Sequence, residues 1–115
     1  MAASKSPRAR LLHIRDEIAG VATIVSRPFV RAIPRQLHAR AVERALQIVS
    51  EAAKALPSDH LAKYPDAPWN AIIGIGNILR HEYQRLDDKQ LWEIATVHLP
   101  KLQPIVAQML TELGA

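Results

Sequence analysis

The feature that most constrains the fold is the spacing of the apolar residues, which recur at three- and four-residue steps along most of the chain. Such spacing places apolar side chains on one face of an α-helix. No segment of useful length alternates apolar and polar residues as a half-buried strand does, and the sequence shows no internal repeat. The pattern therefore predicts an all-α protein, an up-and-down bundle of four to five helices.

Prolines and capping residues divide this pattern into helices. The pair Ser6-Pro7 is a start signal for the first helix, which we expect to end just before Pro28. Its apolar residues recur every three or four residues from Leu11 onward, so they lie on one face, which we expect to be buried. A second helix is predicted between Pro34 and Pro57.

Two further long helices are predicted in the second half. One begins near Asp66-Ala67-Pro68, with the Asp66 carboxylate as its cap, and runs through Tyr83. The other opens at Asp87 and is kinked or split near Pro100.

Packing residues follow from the same pattern. Ser58 could cap a short helical turn, and Trp69 and Trp92 are expected to anchor the core near helix starts. The core stripe of the second helix is predicted to contain Leu37, Ala41, Ala45, Ile48, Ala52 and Leu56.

Length and composition indicate a single soluble domain. The 115 residues are 49% hydrophobic, enough to bury a core, so residues 1–115 are expected to form one domain with residues 1–6 frayed. The chain has no cysteine, which excludes a disulfide framework and a thiolate metal site. No apolar run approaches the roughly 20 residues of a membrane span, and a cytoplasmic location is expected.

The charge is uneven along the chain. Residues 1–44 carry a net charge of +6 and residues 45–115 carry −2, and ten of the fifteen basic residues are arginine. A basic half can attract a polyanion such as RNA. A solvated helical face is the alternative.

One segment, "GNILRHEYQ" at residues 76–84, gathers polar groups of several kinds. Residues advance by about 100° each around an α-helix, so Asn77, Arg80, His81 and Gln84 share one side, opposite the isoleucines of the core. Asn77 is one turn before both Arg80 and His81, so the three side chains can meet.

An imidazole, a guanidinium and an amide on one ledge suit cleavage of a phosphodiester. His81 could transfer protons near neutral pH, Arg80 could stabilise the charge that builds on phosphate oxygens, and Asn77 could orient a hydroxyl or the imidazole. From spacing alone, a solvated helical face remains the alternative.

Three runs, "AVERALQIVSEAAKAL", "PDAPWNAIIGIGNILRHEY" and "LWEIATVHLPKLQPIVAQML", resemble the HepT-like toxin family of the HEPN superfamily. The resemblance covers about residues 8–112. It implies a small helical homodimer that acts as a ribonuclease without metal or cofactor. It also implies a partner, the MNT nucleotidyltransferase antitoxin, and RNA as the substrate.

The family signature is arginine-asparagine-x-x-x-histidine-x-tyrosine. Carried over, its asparagine, histidine and tyrosine are Asn77, His81 and Tyr83, but its arginine falls on Gly76. We hypothesise that Arg80, one turn later on the same ridge, substitutes, and that Gly76 makes room for its side chain or for a nucleotide. The competing hypothesis is a variant with reduced or absent nuclease activity.

Two further roles follow from the resemblance or from position. Tyr83 is a candidate acceptor of adenylyl groups from the MNT partner, or else a half-buried tyrosine whose hydroxyl reaches solvent. Glu51 could pair with Arg80 or His81 across the bundle, or be an exposed surface charge. A non-catalytic subunit that binds a nucleotide or a nucleotidyltransferase remains the alternative to an enzyme.

Overall fold

The computed structural model describes residues 6–26, 35–81 and 88–114, with side chains in these ranges except at 26, 35–39 and 88. These ranges are almost entirely helical and contain no strand, which confirms the predicted all-α class. The elements are α1 (Pro7–Ser26), α2 (Arg35–Lys54), α3 (Ser58–Ala62), α4 (Trp69–His81), α5 (Asp88–Glu93), a π-helical turn (Ile94–His98) and α6 (Leu99–Glu112). The predicted helix boundaries at Tyr83 and Asp87 lie outside the described residues.

The central helix is α2, which packs against α1 on one side and α4 on the other, while α1 also packs against α6. The predicted stripe of α1 is buried, from Leu11 to Val21. Across the described residues, none of the helices is both long and apolar enough to cross a bilayer. The largest fully buried side chains are Leu11, Ile14, Leu46, Ile72, Leu99, Leu102, Val21, Val49, Val106 and Ser50.

The predicted start of α1 is confirmed by its cap. The backbone N–H of Ala9 donates to Ser6 Oγ at 3.2 Å, which satisfies one of the unpaired amides of the first turn. Two other predicted caps are wrong. Ser58 is the first residue of α3 and Pro57 is the N-cap, with no side-chain capping bond, and no hydrogen bond to the exposed carboxylate of Asp66 is found among the described residues.

The predicted core stripe of the second helix is confirmed only in part, and the side chain of Leu37 lies outside the described residues. Ala45, Ala52 and Leu56 are buried as predicted, but Ala41 is exposed and Ile48 only half-buried. The helix lies between two neighbours, so its buried arc is wide and the larger apolar ridge turns inward. That ridge contains Val42, Leu46, Val49 and Ala53.

The pattern of backbone hydrogen bonds changes before Pro100, as a π-helical turn and not as a break in the helix. The N–H of Leu99 donates to the carbonyl of Ile94, five residues back. Proline has no N–H and its ring crowds the carbonyl four residues before it, here that of Thr96. A wider turn at this point is a physical response to that crowding.

The two tryptophans differ. Trp69 is buried and its Nε1–H donates to the carbonyl of Tyr64 at 3.1 Å, which ties the start of α4 to the preceding loop. Trp92 is 57% exposed, so its predicted role as a core anchor is wrong. Its neighbours Leu91 and Ile94 provide the buried face of this segment instead.

Candidate functional site

The candidate site lies on the last described turns of α4. The side chains of Asn77, Arg80 and His81 are all exposed there, whereas Gly76 is buried. Ile72 and Ile75 turn the opposite face of the helix into the core. The structure therefore brings the three predicted catalytic residues together on one accessible surface, which we call the α4 ledge.

The guanidinium of Arg80 folds back along the ledge. Its Nη2 donates to Asn77 Oδ1 at 3.2 Å. The same Nη2 is 3.9 Å from the place that a Cβ atom at Gly76 would occupy. The Arg80 cation thus reaches the space next to position 76, as the substitution hypothesis requires.

The backbone at Gly76 lies against the neighbouring helix α2. A Cβ at this position would lie 2.0 Å from Ser50 Oγ and 2.6 Å from Ser50 Cβ. The absent side chain therefore makes room for α2, and not primarily for Arg80 or a nucleotide. By contrast, a Cβ at Gly74 would have no neighbour within 4 Å in the described part of the chain, so only one of the two α4 glycines marks a close approach.

Ser50 was not among the predicted site residues. It is completely buried, and its hydroxyl donates to the carbonyl of Ile73 at 3.1 Å. A signal for it exists in the sequence, because Ser50 is a lone hydroxyl four residues after Leu46 and three before Ala53 on the buried ridge. A buried hydroxyl needs a partner, and the partner here is the helix that carries the ledge.

The remaining predicted residues are less informative. Glu51 is exposed on α2, and within the described residues it forms no ion pair with Arg80 or His81, so it has the character of a surface charge. Tyr83 and Gln84 lie outside the described residues.

A groove of about 380 Å³ lies between α4 and α5. Gly74 contributes to its wall and precedes His81 by seven residues, about two helical turns, so the groove runs along the His81 side of α4. Lys89 and Glu93 bring one charge of each sign to the other wall. The groove is open to solvent, and its lining is completed by Asn70, Ala71, Ile75, Ile78, Gln90 and Ile94.

These groups can perform acid–base chemistry beside a fixed cation. An imidazole can accept or donate a proton near neutral pH. A guanidinium presents several N–H donors in a plane that matches two phosphate oxygens. Both side chains are exposed on the same turn of α4, so an extended anionic substrate can reach them.

Comparison with known proteins gives one consistent result. Residues 15–109 match the model of a family described as "Ribonuclease HepT-like". A "Putative RNase" of Caldanaerobacter subterraneus is 34% identical over 110 residues, covering 92% of this chain and 96% of that protein. A "Putative RNase" of Methanocaldococcus jannaschii is 40% identical over 63 residues, 55% of this chain and 58% of that protein.

A third relative, "Probable ribonuclease HepT" of Thermococcus cleftensis, is 35% identical over 63 residues, which cover 55% of this chain and 57% of that protein. In the last two relatives, the match spans less than two thirds of the relative's own length. No solved structure matches the chain.

Proposed function

Because the chain belongs to the HepT-like ribonuclease family, we propose that it is an endoribonuclease whose catalytic residues are His81, Arg80 and Asn77. The observation that carries this proposal is the position of the Arg80 guanidinium, 3.2 Å from Asn77 Oδ1 and beside the place of the missing motif arginine. An exposed imidazole follows on the next residue. The ledge thus offers the amide, the cation and the proton acceptor of the family motif, with the cation supplied from position 80.

The proposed reaction is an attack by a ribose 2′-hydroxyl on the adjacent phosphorus. His81 accepts the hydroxyl proton as the new oxygen–phosphorus bond forms. Arg80 donates hydrogen bonds to the non-bridging oxygens as negative charge builds on them. The bond from phosphorus to the 5′ oxygen breaks, and that oxygen takes a proton from a protonated imidazole. The products are a 2′,3′-cyclic phosphate and a 5′-hydroxyl, and no metal ion takes part.

The first test is His81→Ala with a mixed-sequence single-stranded RNA as substrate. We expect cleavage to fall by about a hundredfold or more, because general acid–base catalysis contributes on that scale. His81 is exposed, so circular dichroism and the melting temperature should match those of the unaltered protein. His60→Ala on α3 is the matched control and should cleave normally. Unchanged cleavage by His81→Ala would refute the mechanism.

The chemistry has its own test. An RNA with a 2′-deoxy sugar at the cleaved position lacks the nucleophile and should resist cleavage. The new 5′ ends should accept phosphate from a polynucleotide kinase without prior phosphatase treatment, since they carry a hydroxyl. Ends that are blocked by a phosphate would indicate a different reaction.

The wider biological proposal is a toxin paired with an MNT-type nucleotidyltransferase. An adenylyl group on Tyr83, two residues after His81, would add a bulky anion that repels RNA phosphates and so neutralises the nuclease. The test is the intact mass of the protein after incubation with an MNT-type nucleotidyltransferase and ATP. An adduct that disappears in Tyr83→Phe supports the proposal, and an unmodified mass contradicts it.

A second function is favoured by the burial of Gly76. Because Ser50 fills the space of a side chain at position 76, the chain cannot present the motif arginine from that position. A non-catalytic subunit that binds a nucleotide or a nucleotidyltransferase would need no such arginine. Pure protein that forms a stable complex with the transferase but leaves RNA intact would favour this function over the enzyme.

A further inference from the structure

We propose that Ser50 is a positioning residue of the ribonuclease site, because it fixes the turn of α4 from Gly76 to Arg80 and so makes Arg80 the source of the phosphate-binding guanidinium. The inference rests on the proposed function and deepens it. It assigns a role to a buried residue of α2 that touches neither substrate nor His81.

The first argument is steric. A Cβ at position 76 would lie 2.6 Å from Ser50 Cβ, and the position of a Cβ atom cannot be changed by side-chain rotation. The 2.0 Å approach to Ser50 Oγ adds to the conflict. Side chains at positions 50 and 76 therefore exclude each other at this separation of α2 and α4. An arginine at position 76 requires either glycine at position 50 or helices that move apart.

The second argument is a series of hydrogen bonds. Ser50 Oγ donates to the Ile73 carbonyl at 3.1 Å. In an α-helix the carbonyl of residue 73 also accepts the N–H of residue 77, so both donors meet at one oxygen. Asn77 in turn accepts a hydrogen bond from Arg80 Nη2 at 3.2 Å. These contacts lead from the buried face of α2 to the exposed cation.

The consequence is a fixed place for the guanidinium. Glycine at position 76 leaves a flat surface, and Arg80 Nη2 lies 3.9 Å from where a Cβ would project from it. A Cβ alone would be at ordinary van der Waals distance from Arg80 Nη2, but a side chain longer than that of alanine would compete with the guanidinium for this space. Through the close helix contact, Ser50 determines both that position 76 is glycine and where Arg80 binds phosphate.

A stability cycle tests the contact without reference to activity. Gly76→Ala should lower the melting temperature, although alanine is the better helix former, since its Cβ meets Ser50. In a Ser50→Gly background the same substitution should be neutral or stabilising. Gly74→Ala is the matched control and should raise the melting temperature, because its Cβ meets open space. An equal loss from Gly76→Ala in both backgrounds would contradict the contact.

Moving the arginine from position 80 to position 76 tests whether the Ser50 contact decides which position supplies the guanidinium. The substrate is again mixed-sequence single-stranded RNA. Arg80→Ala should reduce kcat by about a hundredfold, the scale of a lost donor to a transition-state oxyanion. Combining Arg80→Ala with Gly76→Arg and Ser50→Gly should recover about tenfold or more, because the guanidinium then projects from the neighbouring position. Arg80→Ala with Gly76→Arg alone should not recover. A folded triple variant that is no better than Arg80→Ala would overturn the inference.

The substitution Ser50→Ala distinguishes a role of Ser50 in positioning Arg80 from a role in the stability of the fold. It keeps the Cβ and removes the bond to Ile73, and we expect roughly tenfold lower kcat with little change in KM, as misplaced catalytic groups give. Ala53→Gly, at another fully buried position of α2, should lower the melting temperature and leave kcat unchanged.

The two proposals fail in different ways. An inactive unaltered protein, or an active His81→Ala, would remove the ribonuclease function itself and the inference with it. Cleavage that needs His81 but is normal in Ser50→Ala would leave the function standing and overturn only the role of Ser50.

Discussion

At the scale of single residues, the proposed site depends on a guanidinium from position 80 rather than from position 76, where the family motif has its arginine. Arg80 is held by a side chain of its own helix, Asn77, at 3.2 Å. A lysine at position 80 would keep the positive charge, but it could not present the planar pair of N–H donors that Arg80 offers to phosphate.

The first residue-scale prediction is therefore that cleavage activity decreases in steps, from arginine to lysine to alanine at position 80. Arg80→Lys should lower kcat by roughly tenfold and Arg80→Ala by more, since charge alone stabilises the transition state less than two aligned hydrogen bonds do. Steady-state cleavage of a labelled RNA measures both variants. Equal rates for Arg80→Lys and Arg80→Ala would show that charge at position 80 is irrelevant.

The second residue-scale prediction concerns Tyr64, whose hydroxyl donates a hydrogen bond to the Glu112 carboxylate on α6. This hydrogen bond raises the pKa of Tyr64 to about 12, with burial and the negative charge of Glu112 acting in the same direction. The folded state holds the proton more tightly than the unfolded state, so this stabilisation is complete below the ordinary pKa of 10.0 and is lost as the pH rises through about 12.

A near-ultraviolet titration of tyrosinate measures this shift. Tyr83→Phe leaves Tyr64 as the single tyrosine. Adding Glu112→Gln should move the midpoint down toward 10.0, while circular dichroism confirms that the helices persist. An unchanged midpoint would show that Glu112 does not hold the phenol.

At the scale of helices, the sequence predicted where helices begin and end better than it predicted which helix face is buried. Proline and Ser6 act through local backbone chemistry, so they marked the limits of α1 and α2 to within a few residues. The phase of α2 depends on the two helices beside it, which a one-dimensional pattern does not contain. The π-helical turn before Pro100 and the Ser50–Gly76 contact likewise arise from packing.

The third prediction uses two serines that look alike in the sequence. Ser6→Ala should lower the free energy of unfolding by about 1 kcal/mol, because it removes the acceptor for the Ala9 amide. Ser58→Ala should change it little, since Pro57 is the N-cap of α3 and Ser58 forms no capping bond. Urea denaturation of both variants measures the difference, and similar losses would show that the Ser6 bond does not stabilise α1.

At the scale of the whole molecule, the proposed chemistry needs two proton-transfer groups. In that proposal the α4 ledge supplies one imidazole, that of His81, to accept the proton of the 2′-hydroxyl. We propose that the homodimer implied by the family resemblance brings a second His81 to the same phosphate through a two-fold axis, and that this imidazole protonates the leaving oxygen. The exposed Trp92 and Val97, which no described helix covers, leave apolar surface available for such an assembly.

Mixed dimers distinguish a shared site from two independent ones. Intact and His81→Ala chains are mixed in varying ratios, unfolded and refolded together so that they pair at random. In an equal mixture about a quarter of the dimers contain two intact chains. If both histidines serve one phosphate, activity falls with the square of the intact fraction. If each chain acts alone, activity falls in direct proportion to the intact fraction. That result would mean that a group other than the partner's imidazole protonates the leaving oxygen.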